Sequence, residues 1–379
     1  MSSIKRREFI TLLAGAAAAW PLAARAQKAD RMRRIGVLMN TTAEDPLGQA
    51  GSAAFAQGLQ QLGWEVGFNV RVDTRWGAGD TERYRKYATE LVALAPDVIL
   101  ATANSIVSAL QQAGRTVPIV FVTTIDPVGG GLVASLARPG GNATGFTSYE
   151  FSLNAKLLEL LKEVAPGVTR VAVLRDPFVS AGSGGFAAIQ TAAASLKVEL
   201  IPIGVHEADE IERGITNFVR ESNTGLIVVG PPSSVAPINR DLIVGLAARY
   251  HLPAVYATRA FVPRGGLISY GSDPITEYRR AASYVDRIFK GEKPGNLPVQ
   301  APTKYDLVIN TKTAKAAGID IPLALLARAD EVIRSSSAPS CTSWASCTLR
   351  NAKLLVGSIA PRGRSAIYSR SGNTKQLEI

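Results

Sequence analysis

The chain is poor in sulfur and imidazole. Its two cysteines, Cys341 and Cys347, lie beyond residue 333, so everything before them folds without a disulfide. A body of about 300 residues buries enough apolar surface to do so. The only histidines, His206 and His251, are far apart and sit in no ligand-spaced motif, which leaves no metal site to expect and no cofactor. No G-x-S-x-G elbow, Walker A loop or G-x-G-x-x-G fingerprint after the first strand occurs, and two histidines without a nucleophile motif leave little acid–base machinery for an enzyme. Aromatic residues make up 7% of the chain and no basic run is interleaved with them, which argues against nucleic acid as partner. No apolar run reaches the roughly 20 residues needed to span a bilayer.

Charge is abundant but displaced to the ends. The formal total is +11, yet residues 1–26 hold four basic and one acidic residue, and residues 334–379 seven basic and one acidic. The body between them is nearly neutral. Lys5-Arg6-Arg7-Glu8-Phe9-Ile10, a weakly apolar run over 11–24 and Ala24-Arg25-Ala26 have the three parts of an export leader. The paired arginines fit its twin-arginine form, with cleavage after Ala26. The expected location of the mature chain is therefore the periplasm.

Along the body, short apolar runs alternate with helical patterns. Strands are predicted at 34–39, 69–75, 97–101 and 118–122, with helices over 47–62, 81–94 and 105–112. A second array has strands at 170–174, 198–203, 226–229 and 254–256, between helices over 154–164, 186–196, 207–221 and 237–250. Fully apolar strands of about five residues between helices indicate parallel sheets covered on both faces. The fold class is α/β, two doubly wound lobes joined by a multi-strand hinge. Residues 33–147 with about 267–300 form the expected first lobe, and 148–266 with about 301–333 the second. In the helix over 275–289, Glu277, Arg279, Arg280, Asp286 and Arg287 mark a solvated face. A cleft between hinged lobes is a ligand site that can close.

Several segments resemble one family, in order from end to end of residues 1–333. They include the leader Arg6-Arg7-Glu8-Phe9-Ile10, Arg34-Ile35-Gly36-Val37-Leu38, Leu94-Ala95-Pro96-Asp97-Val98-Ile99 and Pro118-Ile119-Val120-Phe121-Val122. Asp126-Pro127-Val128, Arg138-Pro139-Gly140-Gly141-Asn142-Ala143-Thr144-Gly145-Phe146, Leu267-Ile268-Ser269-Tyr270-Gly271 and Lys290-Gly291-Glu292-Lys293-Pro294 continue the series. The sequence resembles ABC-transporter substrate-binding proteins of the tryptophan/tyrosine-type uptake group. That resemblance implies a two-lobe periplasmic binding protein, monomeric, which closes on a small polar or aromatic ligand, such as an amino acid, and presents it to a membrane permease. A ligand-sensing receptor with the same lobes is the alternative, and a small-molecule enzyme a third.

Ligands of open α/β sheets sit outside the carboxyl ends of the strands. In the first array those ends carry Thr41, Thr102, Asn104, Ser105, Thr123 and Asp126. The family's ligand loop matches Thr102 to Ser105, where Ser105 opens a helix whose free N–H groups either hold a carboxylate or are capped by Asn104 or Ser105. Thr123 and Asp126 match the next loop, with Asp126 either accepting an ammonium group or shaping the turn before Pro127. The glycines at 129–131 either cradle an anion or form a tight turn. Beyond the crossover, Thr147, Ser148, Tyr149, Asp176, Pro232, Ser233 and Tyr256 complete the candidate set, the two tyrosines as stacking walls or as packing. Residues 334–379, basic and serine-rich, depart from the family and are expected either to be disordered or to be an appendage with an interaction role.

Overall fold

The computed structural model describes residues 32–148, 150–175, 180–204, 208–229 and 237–334. Candidate residues Tyr149, Asp176, Pro232 and Ser233, the leader and the tail from residue 335 lie outside the described residues.

Five parallel strands form the first sheet: β1 (Arg33–Met39), β2 (Val70–Trp76), β3 (Val98–Thr102), β4 (Ile119–Thr124) and β5 (Ala143–Thr147), in the order β2-β1-β3-β4-β5. Because side chains alternate along a strand, each strand feeds two cores. Ile35, Val37 and Met39 face α1 (Pro46–Gln61) and α8 (Pro274–Phe289), whereas Leu38, Ile99 and Ala101 face α2 (Thr81–Ala93) and α3 (Asn104–Ala113). Asp45 and Asp80 cap α1 and α2, each carboxylate accepting from two N–H groups of the first turn. Gly51 lets α1 approach α8, since a Cβ there would lie 2.6 Å from the Tyr278 ring.

The second sheet has seven strands in the order β12-β11-β10-β9-β8-β6-β7. β6 (Arg170–Arg175), β7 (Glu199–Gly204), β8 (Thr224–Val228), β9 (Ala254–Tyr256) and β10 (Ile268–Gly271) run parallel, β11 (Asp306–Asn310) is antiparallel to β10, and β12 (Glu331–Ile333) is parallel to β11. One face packs on α4 (Leu153–Val164) and α5 (Ser180–Leu196), the other on α6 (Ala208–Phe218) and α7 (Pro237–Arg249).

Two sequence expectations are corrected. Residues 267–271 were expected in the first lobe, but Leu267 and Ile268 fill the second core beside Ile309 and Val255, so the chain returns to the first sheet only after Gly271. The polar face of α8 is not uniformly solvated. Glu277 is 3% exposed, and Asp286 is buried, accepting from Trp64 Nε1 at 3.1 Å and Lys290 Nζ at 2.7 Å. Arg280 lies half-buried over the Phe146 ring, 4.8 Å from its centroid, and Arg279 and Arg287 remain exposed.

Candidate ligand site

The chain passes between the sheets three times: after Thr147, after Gly271 and near Gln300. The third passage runs beside the first, with Thr147 N–H donating to Gln300 O at 2.9 Å and Gln300 N–H to Gly145 O at 2.9 Å. Glu277 joins the first two. Its Oε2 accepts from Thr123 N–H at 2.9 Å and Ser148 Oγ at 3.3 Å, and its Oε1 from Ser272 Oγ at 3.0 Å. Burial pushes this carboxyl up to about 8, against the opposing pull of the three donors. This carboxyl thus ties both crossovers to the carboxyl end of β4.

The first sheet's strand ends are locally strained. Ala103, Thr123 and Asp126 have φ of 102°, 54° and 46°, in a region that costs residues with a side chain on the order of 1–3 kcal/mol. Asn104 holds two of these segments together: its Oδ1 accepts from Ile125 N–H at 3.0 Å and its Nδ2 donates to Ile125 O at 2.7 Å. Its side chain is therefore not a helix cap, and the first turn of α3 has no side-chain cap at all. Ser105 is exposed at that end.

Other candidates are committed elsewhere. Thr102 is fully buried, its Oγ accepting from Asn40 N–H at 2.8 Å and donating to Asn40 Oδ1, so it braces β1 against β3 and has no face toward a ligand. Asp126 Oδ1 accepts from Gly129 N–H at 2.8 Å, and the N–H groups of Gly130 and Gly131 bond to Asp126 O and Val128 O. The loop's amides are spent on the turn, which removes the anion-cradle alternative. Thr41 and Thr123 bury hydroxyls that have no partner among the described residues. Tyr256 is fully buried in the second core, stacked on Phe261 with centroids 4.5 Å apart, an arrangement that matches the packing alternative of its two readings.

Beside the crossovers lies a cavity of about 240 Å³. Ile125, Pro127, Val128, Leu136, Phe151 and Ala301 make its apolar lining, with Thr147, Asp126 and Glu150. Neither carboxylate has an ion-pair partner among the described residues. Apolar walls with unpaired negative charge suit a small ligand that carries a cationic group and an apolar body. Among the described residues no group of His, Cys, Asp and Glu is arranged to hold a metal.

Sequence reasoning missed Glu277, Glu150, and the buried pair Asp45 and Arg240. Glu277 was hidden by its polar neighbours on α8, and Asp45 shows in sequence only as an aspartate before a helix.

Residues 39–333 match the family described as ABC transporter substrate binding protein. The chain belongs to that family. Its members bind solutes and are not enzymes; they work with ABC permeases and are typically extracytoplasmic. Among the described residues of this substrate-binding protein, no helix is long and apolar enough to cross a membrane. A curated relative, the tyrosine-binding protein of Clostridioides difficile (strain R20291), is 23% identical over 290 residues, covering 76% of this chain and 83% of that one. A conserved domain protein of Vibrio cholerae has a crystal structure with TM-score 0.73 and 28% identity, covering 80% of this chain and all of that one. An ABC domain from Streptococcus pneumonia in complex with L-Trp has TM-score 0.69 and 25% identity, covering 79% of this chain and all of that one.

Proposed function

We propose that the protein is the periplasmic solute-binding component of an ABC importer for an aromatic amino acid. The observation that carries this reading is the cavity beside the crossovers, where Asp126 and Glu150 stand in an apolar wall closed by Phe151. An ammonium group would sit against the two carboxylates and an aromatic ring against Phe151, Pro127 and Val128. The tyrosine-binding name of one relative and the L-Trp in another support the same ligand class. Because the cavity walls come from a first-sheet loop and from crossover segments, ligand would draw the lobes together, and the closed form would dock on the permease. The leader would bring the chain to the periplasm and be cut after Ala26, which the intact mass of the exported protein reads directly.

A thermal-shift series with L-tyrosine, L-tryptophan, L-phenylalanine and the same compounds without their ammonium group tests the ligand class. At about 100 times the dissociation constant, a true ligand stabilises the fold by about 2.7 kcal/mol. The aromatic amino acids are expected to raise Tm by a few degrees and the deaminated analogues to leave it unchanged. A response to sugars or nucleosides alone would retire the amino-acid reading.

A further inference from the structure

Arg240 stands in the first turn of α7, a helix whose Ile243, Val244, Leu246 and Ala247 pack into the second core. Its guanidinium leaves that core. Nη2 donates to Oδ2 of Asp45, 2.5 Å away and 195 residues distant in the chain. Asp45 belongs to the first lobe, where its Oδ1 accepts from Leu47 N–H at 2.9 Å and Gly48 N–H at 3.2 Å as the cap of α1. The two side chains are 2% and 1% exposed. No other described salt bridge is buried on both sides to this degree. The neighbouring Asp241 is engaged by Arg264, so among the described residues Asp45 is the carboxylate in ion-pair contact with this guanidinium.

These positions are unequal in what they need. The Asp45 carboxylate is held by its own helix whatever the second lobe does. Were the lobes to part, the Arg240 side chain would lose this contact and both charges would regain water. Taking two charges out of water is costly, and their mutual attraction offsets that cost only when the geometry is met. The pair therefore discriminates between lobe arrangements in a way that apolar contacts, tolerant of small shifts, do not.

We propose that Arg240 and Asp45 form a closure latch, an ion pair made when the lobes come together and broken when they part, which sets the open–closed balance and the rate at which ligand leaves. The inference rests on the reading of the protein as a ligand-closing importer component. Removing one partner strands the other charge in a closed interface, so the closed form loses and the open form is untouched.

The test uses the full chain with Asp45→Asn, which keeps the α1 cap, and Arg240→Met, which keeps the side chain's apolar bulk. Small-angle scattering of each ligand-free protein reads lobe separation, and stopped-flow release of L-tyrosine reads retention. Each variant is expected to show a larger radius of gyration and release about tenfold faster or more, with association little changed and the two substitutions together no worse than either alone. An unchanged radius with an unchanged release rate would overturn the latch, and a lowered melting temperature accompanying that result would identify a static tether. If the unmodified protein binds no L-tyrosine, the ligand reading fails by itself, and the scattering still decides the latch.

Discussion

The backbone N–H of Thr123 donates to Oε2 of Glu277 at 2.9 Å, joining a strained residue at a strand end to the first turn of a helix that has just returned from the other sheet. Ser148 and Ser272, one from each crossover, donate to the same carboxyl. The hinge therefore has a titratable centre.

The pH dependence follows from the direction of its shift. Burial raises the Glu277 carboxyl from 4.5 to about 8, so between these values the folded chain holds a proton that the unfolded chain has released. Its contribution to stability is complete below about 4.5, falls as pH rises toward 8 and is flat above, with a slope of at most about 1.4 kcal/mol per pH unit. Glu277→Gln should remove this slope, which urea denaturation at a series of pH values checks.

Asn104→Ala should cost about 2 kcal/mol, because it strands both the N–H and the carbonyl of Ile125. It should also weaken ligand binding by freeing the loop that carries Asp126. Asn104→Asp keeps the acceptor and loses the donor, and an intermediate loss in calorimetric titration and chemical denaturation is expected.

Much of this fold can be read from apolar runs alone, since strands such as Val98–Thr102 and Ile119–Thr124 are buried at every position and alternate with helices. The site is less legible. Thr102 and Tyr256 carry ligand-like groups at strand ends, yet one is consumed by Asn40 and the other by the second core, and nothing in their spacing distinguishes a strand end facing the cleft from one facing a neighbour. Glu277 and Asp286 look solvated because α8 is counted as packing on one sheet only. The crossovers and Trp64 cover its remaining sides, and those neighbours are remote in sequence.

Tyr256→Phe is expected to leave ligand affinity unchanged and stability equal or higher by about 1 kcal/mol, since the hydroxyl is buried without a partner. A large loss of binding in the same thermal-shift series would restore Tyr256 to the site.

Gly145→Ala should be among the most damaging single changes, by about 3 kcal/mol or more. Its φ is 156°, and a Cβ there would lie 2.0 Å from Phe121 O, where β4 and β5 shift register. Loss of soluble expression, or a midpoint in urea far below that of the parent, is the expected result.

The placement of α8 also governs how the chain is made. All five strands of the first sheet have been synthesised by Thr147, but Ala281, Val285 and Phe289, which cover one of its faces, leave the ribosome only after most of the second sheet. A nascent chain at that stage presents Val120, Val122 and Phe146, the β4 and β5 residues on the face that α8 covers, to water or to a chaperone. The amino-terminal half lacks that cover until α8 is made, so termination between Thr147 and Phe289 is expected to yield an aggregation-prone fragment in place of a smaller stable domain.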